Sequence, residues 1–115
     1  EKDKFMHFLS DAKQAGQTVC GLGASTKGNV LLQYYGITKD LISQIGEVNE
    51  DKFGSFTPGT LIPIVSESDV LDNNPDYIVI LPWHFREFFV NLPSLKGCKL
   101  VFPLPKFEII EAGGK

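Results

Sequence analysis

The residues with the most chemical promise form one run, Gly21-Leu22-Gly23-Ala24-Ser25-Thr26-Lys27-Gly28-Asn29. Glycines at 21 and 23 permit a tight turn and let a ligand's oxygen atoms approach backbone N–H groups. A helix starting just after them would turn its positive end toward an anion. That is the outline of a phosphate site. Against the dinucleotide fingerprint G-x-G-x-x-G, the third glycine is Thr26; against the P-loop G-x-x-x-x-G-K-[ST], Thr26 and Gly28 stand where glycine and a hydroxyl residue are required. Without that hydroxyl the loop lacks a magnesium ligand, and nucleoside triphosphate hydrolysis is not expected. The plainer reading is a glycine turn that only lets a helix lie close to a strand. Lys27 favours the phosphate reading, because a cation there calls for an anion or a carboxylate to answer it.

Glu47 lies 24 positions beyond Gly23, at the end of a predicted second strand, where a carboxylate in such a unit accepts hydrogen bonds from a ribose. It reads equally as a solvated loop acid beside Glu50 and Asp51. Trp83 and His84 follow the fourth predicted strand. In a doubly wound sheet the carboxyl ends of the first and fourth strands flank the ligand crevice, so both side chains are expected to face the glycine run. Trp83 would stack on a base or sugar, and His84 would donate a hydrogen bond or exchange a proton near neutral pH. The plain alternative is a tryptophan closing the core and a histidine capping the next helix. His7, on an otherwise polar helix face, is read as a surface residue. No spacing suggests a Ser/His/Asp or Cys/His set, or paired metal ligands. A binding module therefore fits better than an enzyme, and no catalytic residue is assigned.

Holding these groups requires alternating helices and strands. Phe5, Phe8, Leu9 and Ala12 recur at helical spacing in a leading helix that Gly16 stops. Thr18-Val19-Cys20 is β-prone and runs into the glycine loop. Val30 to Tyr35 reads as a buried helix closed by Gly36. Strand, glycine loop and helix make the first half of a βαβ unit. Further strands are predicted over 41–48 and 61–65, the latter at a sheet edge because of Pro63. Ser66 caps a brief helix that Asn73-Asn74-Pro75 breaks. The run 77–81 is continuous and apolar, as a strand covered on both faces should be, and Pro82 ends it. Phe85, Phe88 and Phe89 share one face of a helix over 84–91, and strands follow at 99–102 and 107–110. The architecture is α/β with a mainly parallel sheet of about five strands, in one domain over 1–115: a leading helix at 1–16, a core at 17–110 and a tail at 111–115.

The 115 residues give room for one domain, and 43% hydrophobic residues fill its core without disulfides. Eleven Lys and Arg against 14 Asp and Glu leave a net charge of -3, which lacks the basic footprint of a nucleic-acid binder. No apolar run approaches the roughly 18–20 residues that span a bilayer, so no membrane partner is expected. Cys20 and Cys98 lack redox or zinc spacing and read as reduced residues of a cytoplasmic protein. The opening Glu1-Lys2-Asp3 carries no initiator methionine and suggests a piece of something longer.

Three motifs in order, Gly21 to Leu32, Thr57-Pro58-Gly59-Thr60-Leu61-Ile62-Pro63-Ile64, and Asp76-Tyr77 through Leu81-Pro82-Trp83, resemble the C-terminal domain of the sugar C-methyltransferase family. The resemblance implies a Rossmann-like, three-layer αβα domain. It also implies a parent enzyme that uses S-adenosylmethionine to methylate a carbon of a keto sugar on a nucleoside diphosphate. The methyl donor site, the catalytic base and the zinc ligands would lie in an upstream methyltransferase domain, so this part binds no cofactor itself. Its share would be part of the nucleotide-linked sugar site and a packing surface for the catalytic domain. On matching positions, Gly21, Gly23, Ala24, Lys27, Gly28 and Asn29, with Ser25 between them, carry the loop; Pro58-Gly59-Thr60 carry a turn and Pro82-Trp83 the fourth-strand end. The family commonly shows Asp where Glu47 stands, which keeps the carboxylate, and Asn where His84 stands, which alters donor pattern and size. Two other readings stay open: a stand-alone NAD-type dinucleotide module, and a structural docking domain with no ligand.

Overall fold

The computed structural model describes residues 2–113. Helix α1 (Lys2–Gln14) buries Phe5, Leu9 and Ala12 along one stripe, with Asp3 in its first turn and Lys13 in its last to complement the helix dipole. Strand β1 (Val19–Leu22) is buried along its whole length. Helix α2 (Thr26–Tyr35) starts at Ser25, which holds an extended backbone and accepts a hydrogen bond from the Gly28 N–H, and ends at Gly36 in the left-handed region. Next come β2 (Ile45–Glu47), β3 (Ile64–Ser66) and α3 (Glu67–Asp72). Ser66 caps α3 through the Asp69 N–H, as the sequence predicts. Then follow β4 (Tyr77–Ile80), a 3-10 turn (Trp83–Phe85), α4 (Arg86–Val90), a 3-10 turn (Pro93–Leu95), β5 (Lys99–Phe102) and β6 (Glu108–Glu111).

The strands form one mixed sheet in the order β3-β2-β1-β4-β5-β6, and all neighbouring pairs are parallel except β5 with β6. Among the described residues the sheet has six strands rather than about five. The chain turns back through Pro103 and Pro105 and lays β6 antiparallel on β5, with Leu100 opposite Ile110. Order runs past the expected end of the core at 110, since β6 reaches Glu111 and Ala112 is buried. Alternate strand residues enter two hydrophobic clusters. Val19, Ile45, Val79, Leu81 and Val101 join Phe5 and Leu9 of α1 and Leu31 and Leu32 of α2. Cys20, Leu22, Ile78, Ile80, Leu100 and Phe102 join Val70 of α3, with Phe89 and Val90 of α4 packed beside them.

Two strands start well after the sequence reading places them, each for a local reason. β2 begins at Ile45 because Leu41 and Ile42 both donate their N–H groups to the Thr38 carbonyl and close a turn. β3 begins at Ile64 because the Thr57 hydroxyl accepts the Ile62 N–H and meets the Thr60 hydroxyl, knotting 57–62 into a loop. On α2, Val30 and Tyr34 are 60% and 77% exposed, so the helix is buried on one stripe only. Gly46 sits inside β2, where a side chain would meet Leu22, the Glu67 backbone and Val70.

Gly23 and Gly36 separate strain from crowding. Both hold a positive φ, but a Cβ on Gly23 would lie 2.6 Å from Pro82 Cδ, while among the described residues nothing lies within 4 Å of one on Gly36. Gly36→Ala should cost about 1–2 kcal/mol from backbone strain, and Gly23→Ala a further ~1–3 kcal/mol from overpacking. Urea unfolding of the two variants measures the gap, and equal losses would contradict the crowding at Pro82.

Candidate functional site

The carboxyl ends of β1 and β4 come together through close backbone packing. A Cβ on Gly28 would sit 2.6 Å from Leu81 Cβ, so glycine there lets the first turn of α2 press against the end of β4. Pro82 occupies the space in front of Gly23. Two of the predicted loop glycines are thus filled by protein, and Gly21 lies within β1, buried.

Most N–H groups that would greet an anion are satisfied internally. The Gly23 N–H donates to the Gly46 carbonyl, that of Ser25 to the Gly23 carbonyl and that of Asn29 to the Ser25 carbonyl. The Gly28 N–H donates to Ser25 Oγ at 3.0 Å, and the Ala24 N–H donates to Glu47 Oε1 at 2.9 Å. Glu47 Oε2 accepts from the Val48 and Asn49 N–H groups at 3.1 and 3.0 Å. Glu47 thus reaches the glycine loop, with its carboxylate already on three amides. Lys52 Nζ donates to the Ala24 carbonyl at 2.9 Å. In the first turn of α2, the N–H groups of Thr26 and Lys27 have no acceptor among the described residues. Asn29 Oδ1 is buried without a hydrogen-bond partner among the described residues.

Two cavities border this loop. A groove of about 460 Å³ is lined by Thr26, Lys27, Val30, Tyr34, Trp83 and Leu104, among others. It brings the predicted residues Lys27 and Trp83 together. Trp83 is half-buried and packs against both hydrophobic clusters, while Lys27 is exposed and makes no ion pair among the described residues. The second cavity, about 310 Å³, holds Gly23 and Glu47 with Val48, Glu67, Phe88 and Phe89. His84 is exposed, lines neither space, and stacks against Phe85 at 4.3 Å between ring centroids. A wider hollow, about 680 Å³, runs along α1 with His7, Phe8, Tyr77 and Phe107 and contains none of the predicted site residues. His7 is exposed there, 3.7 Å from Asp11.

Sequence reasoning misses Lys52, Thr26, Tyr34 and Leu104. For Lys52 the one available signal is a lone cation after two acids in a turn. For Tyr34 it is the apolar run 30–35, wider than the stripe a single helix face can bury. The aromatic face predicted on 84–91 is largely open, with Phe85 57% and Phe88 60% exposed. Arg86 binds its element to the sheet, donating from Nε to Glu108 at 2.9 Å and lying over the Phe102 ring.

Residues 1–105 match the family described as the C-methyltransferase C-terminal domain. The chain belongs to that family. The C-methyltransferase NovU of Streptomyces niveus is 32% identical to it over 105 residues, a stretch covering 84% of this chain and 24% of the relative. This C-methyltransferase C-terminal domain therefore spans about a quarter of the length of the relative it matches. The resemblance read from the three motifs is borne out. Among the described residues no helix is long and apolar enough to cross a membrane, and no group of three or more His, Cys, Asp or Glu side chains converges as metal ligands would.

Neither cysteine of the domain has the character of a nucleophile. Burial pushes the Cys20 thiol above its ordinary range, partly offset by hydrogen bonds with Ser43 and the Gln44 backbone, and burial raises Cys98 as well. Both are therefore protonated at neutral pH. A thiol that titrates higher folded than unfolded contributes stability that is whole below the unfolded thiol's range and is lost as pH rises through the folded value. Iodoacetamide at pH 7 should label half-buried Cys98 before buried Cys20, and Cys20→Val should flatten the alkaline fall in stability. Rapid labelling of Cys20 in the folded chain would contradict this.

Proposed function

We propose that this domain is the C-terminal accessory part of an S-adenosylmethionine-dependent C-methyltransferase acting on a nucleotide-linked sugar. In this reading it contributes one wall of the substrate site. The observation that carries the reading is the meeting of Lys27, Trp83 and the first turn of α2 at one groove. An unpaired ammonium, two N–H groups at a helix start and the helix dipole suit a diphosphate. An indole beside them suits a base or sugar ring. The strand order 3-2-1-4-5 supports a doubly wound, three-layer, Rossmann-like domain, in which ligands gather at the carboxyl ends where the order reverses.

The methyl donor, the base and the zinc belong, in this reading, to the upstream domain, and no residue of this chain is assigned to the transfer step. Exposed Val48, Phe85 and Phe88 supply apolar surface for contact with that domain. An NAD-type reading is less well served. Pro82 stands over Gly23, and the Glu47 carboxylate that would receive a ribose is engaged by the loop's own amides.

Titration with thymidine diphosphate, followed by backbone-amide NMR, tests the proposal. Saturable shifts are expected at Thr26, Lys27 and Trp83, with none from NAD. Lys27→Ala should weaken binding about tenfold, ~1.4 kcal/mol for a charge-assisted contact. Trp83→Ala should cost about 1–3 kcal/mol of stacking. Unchanged affinity in both variants, or shifts from NAD, would overturn the assignment.

A further inference from the structure

The two peptide groups that flank the Ala24 Cα are held by side chains from one short turn. Glu47 Oε1 accepts the Ala24 N–H at 2.9 Å, and Lys52 Nζ donates to the Ala24 carbonyl at 2.9 Å. The second oxygen of Glu47 accepts the N–H groups of Val48 and Asn49. Asn49 Oδ1 in turn accepts the Asp51 N–H and caps the 3-10 turn Glu50–Lys52. One carboxylate therefore folds the turn that delivers the ammonium and grips the loop at the same residue. Glu47 and Lys52 make no direct ion pair among the described residues; the Ala24 backbone lies between them. Ala24 itself is buried, two residues before α2 begins.

We infer that Glu47 and Lys52 are positioning residues: a two-sided clamp on Ala24 that fixes the entry of α2 and so aims Thr26 and Lys27 into the groove they share with Trp83. The physical logic is that charged partners make stronger backbone hydrogen bonds than neutral ones. Gly23, immediately before, has no side chain of its own to restrict its φ and ψ. A glycine loop without such a brace would present its helix start over a range of angles. With Ala24 held from both sides, and with Gly28 pressed on Leu81, the first turn of α2 has one orientation. The part of this inference that concerns ligand rests on the substrate reading above; the clamp itself does not.

The test uses the chain with Glu47→Gln, Lys52→Met and Lys52→Arg, the last keeping a charged donor. Hydrogen exchange of the Ala24 amide is measured beside amides of β4. In Lys52→Met and Glu47→Gln, exchange at Ala24 should speed up at least about tenfold while β4 is unmoved. Thymidine diphosphate affinity should fall at least about threefold in Lys52→Met and recover in Lys52→Arg. Unchanged exchange at Ala24, or equal acceleration in β4, overturns the clamp. If exchange changes locally but affinity does not, the positioning role is wrong. Should the parent chain bind no diphosphate, the substrate reading falls, and exchange at Ala24 alone still decides whether the clamp exists.

Discussion

The closeness of α2 to the end of β4 is the constraint on which the rest of this domain depends. It exists because position 28 has no side chain, so that a helix turn rests directly on Leu81. From that contact follow the place of Pro82 over Gly23, the burial of Leu31 and Leu32 against β4 and β5, and the position of Trp83 beside the start of α2. A larger residue at 28 would lift the helix and open every one of these spacings at once, because packed interiors transmit displacement rather than absorb it.

Backbone hydrogen bonding then decides what the loop can offer. In a buried turn every amide needs a partner. Here β2 supplies the Gly46 carbonyl and the Glu47 carboxylate, and α2 supplies its own Ser25 cap. What is left over at the helix start is small and directional. The domain thus differs from a glycine loop held ready for a dinucleotide, although its strand order and its glycines have the same outline.

The parts of the fold that were legible in the sequence are those governed by local chemistry or by burial on both faces. Strand β4 is an uninterrupted apolar run because both clusters claim its residues, and Ser66 and Gly36 announce helix ends by capping alone. The errors come from residues whose state is set across space. Ile42 is fully buried and apolar yet lies in a turn rather than a strand, and Leu61 and Ile62 are held in a loop by the carbonyl and the hydroxyl of Thr57. At the site, Lys27 and Trp83 could be brought together from strand order alone. Glu47 was legible as a carboxylate near the loop, but its partners were not, since three amides from two segments meet there only after β2 is laid beside β1.

The leading helix has a consequence for how the chain is made. Phe5 and Phe8 stack against Phe107, about a hundred residues downstream, and Phe8 meets Tyr77 edge-on. This helix, made before every strand it packs on, therefore waits for residue 107 before its aromatic face is covered. Parallel pairing of β1 with β4 delays closure further, since distant segments must meet before the contact is rewarded. Until then a nascent chain displays those phenylalanines to solvent, and this helix is where a chaperone would find a grip during synthesis.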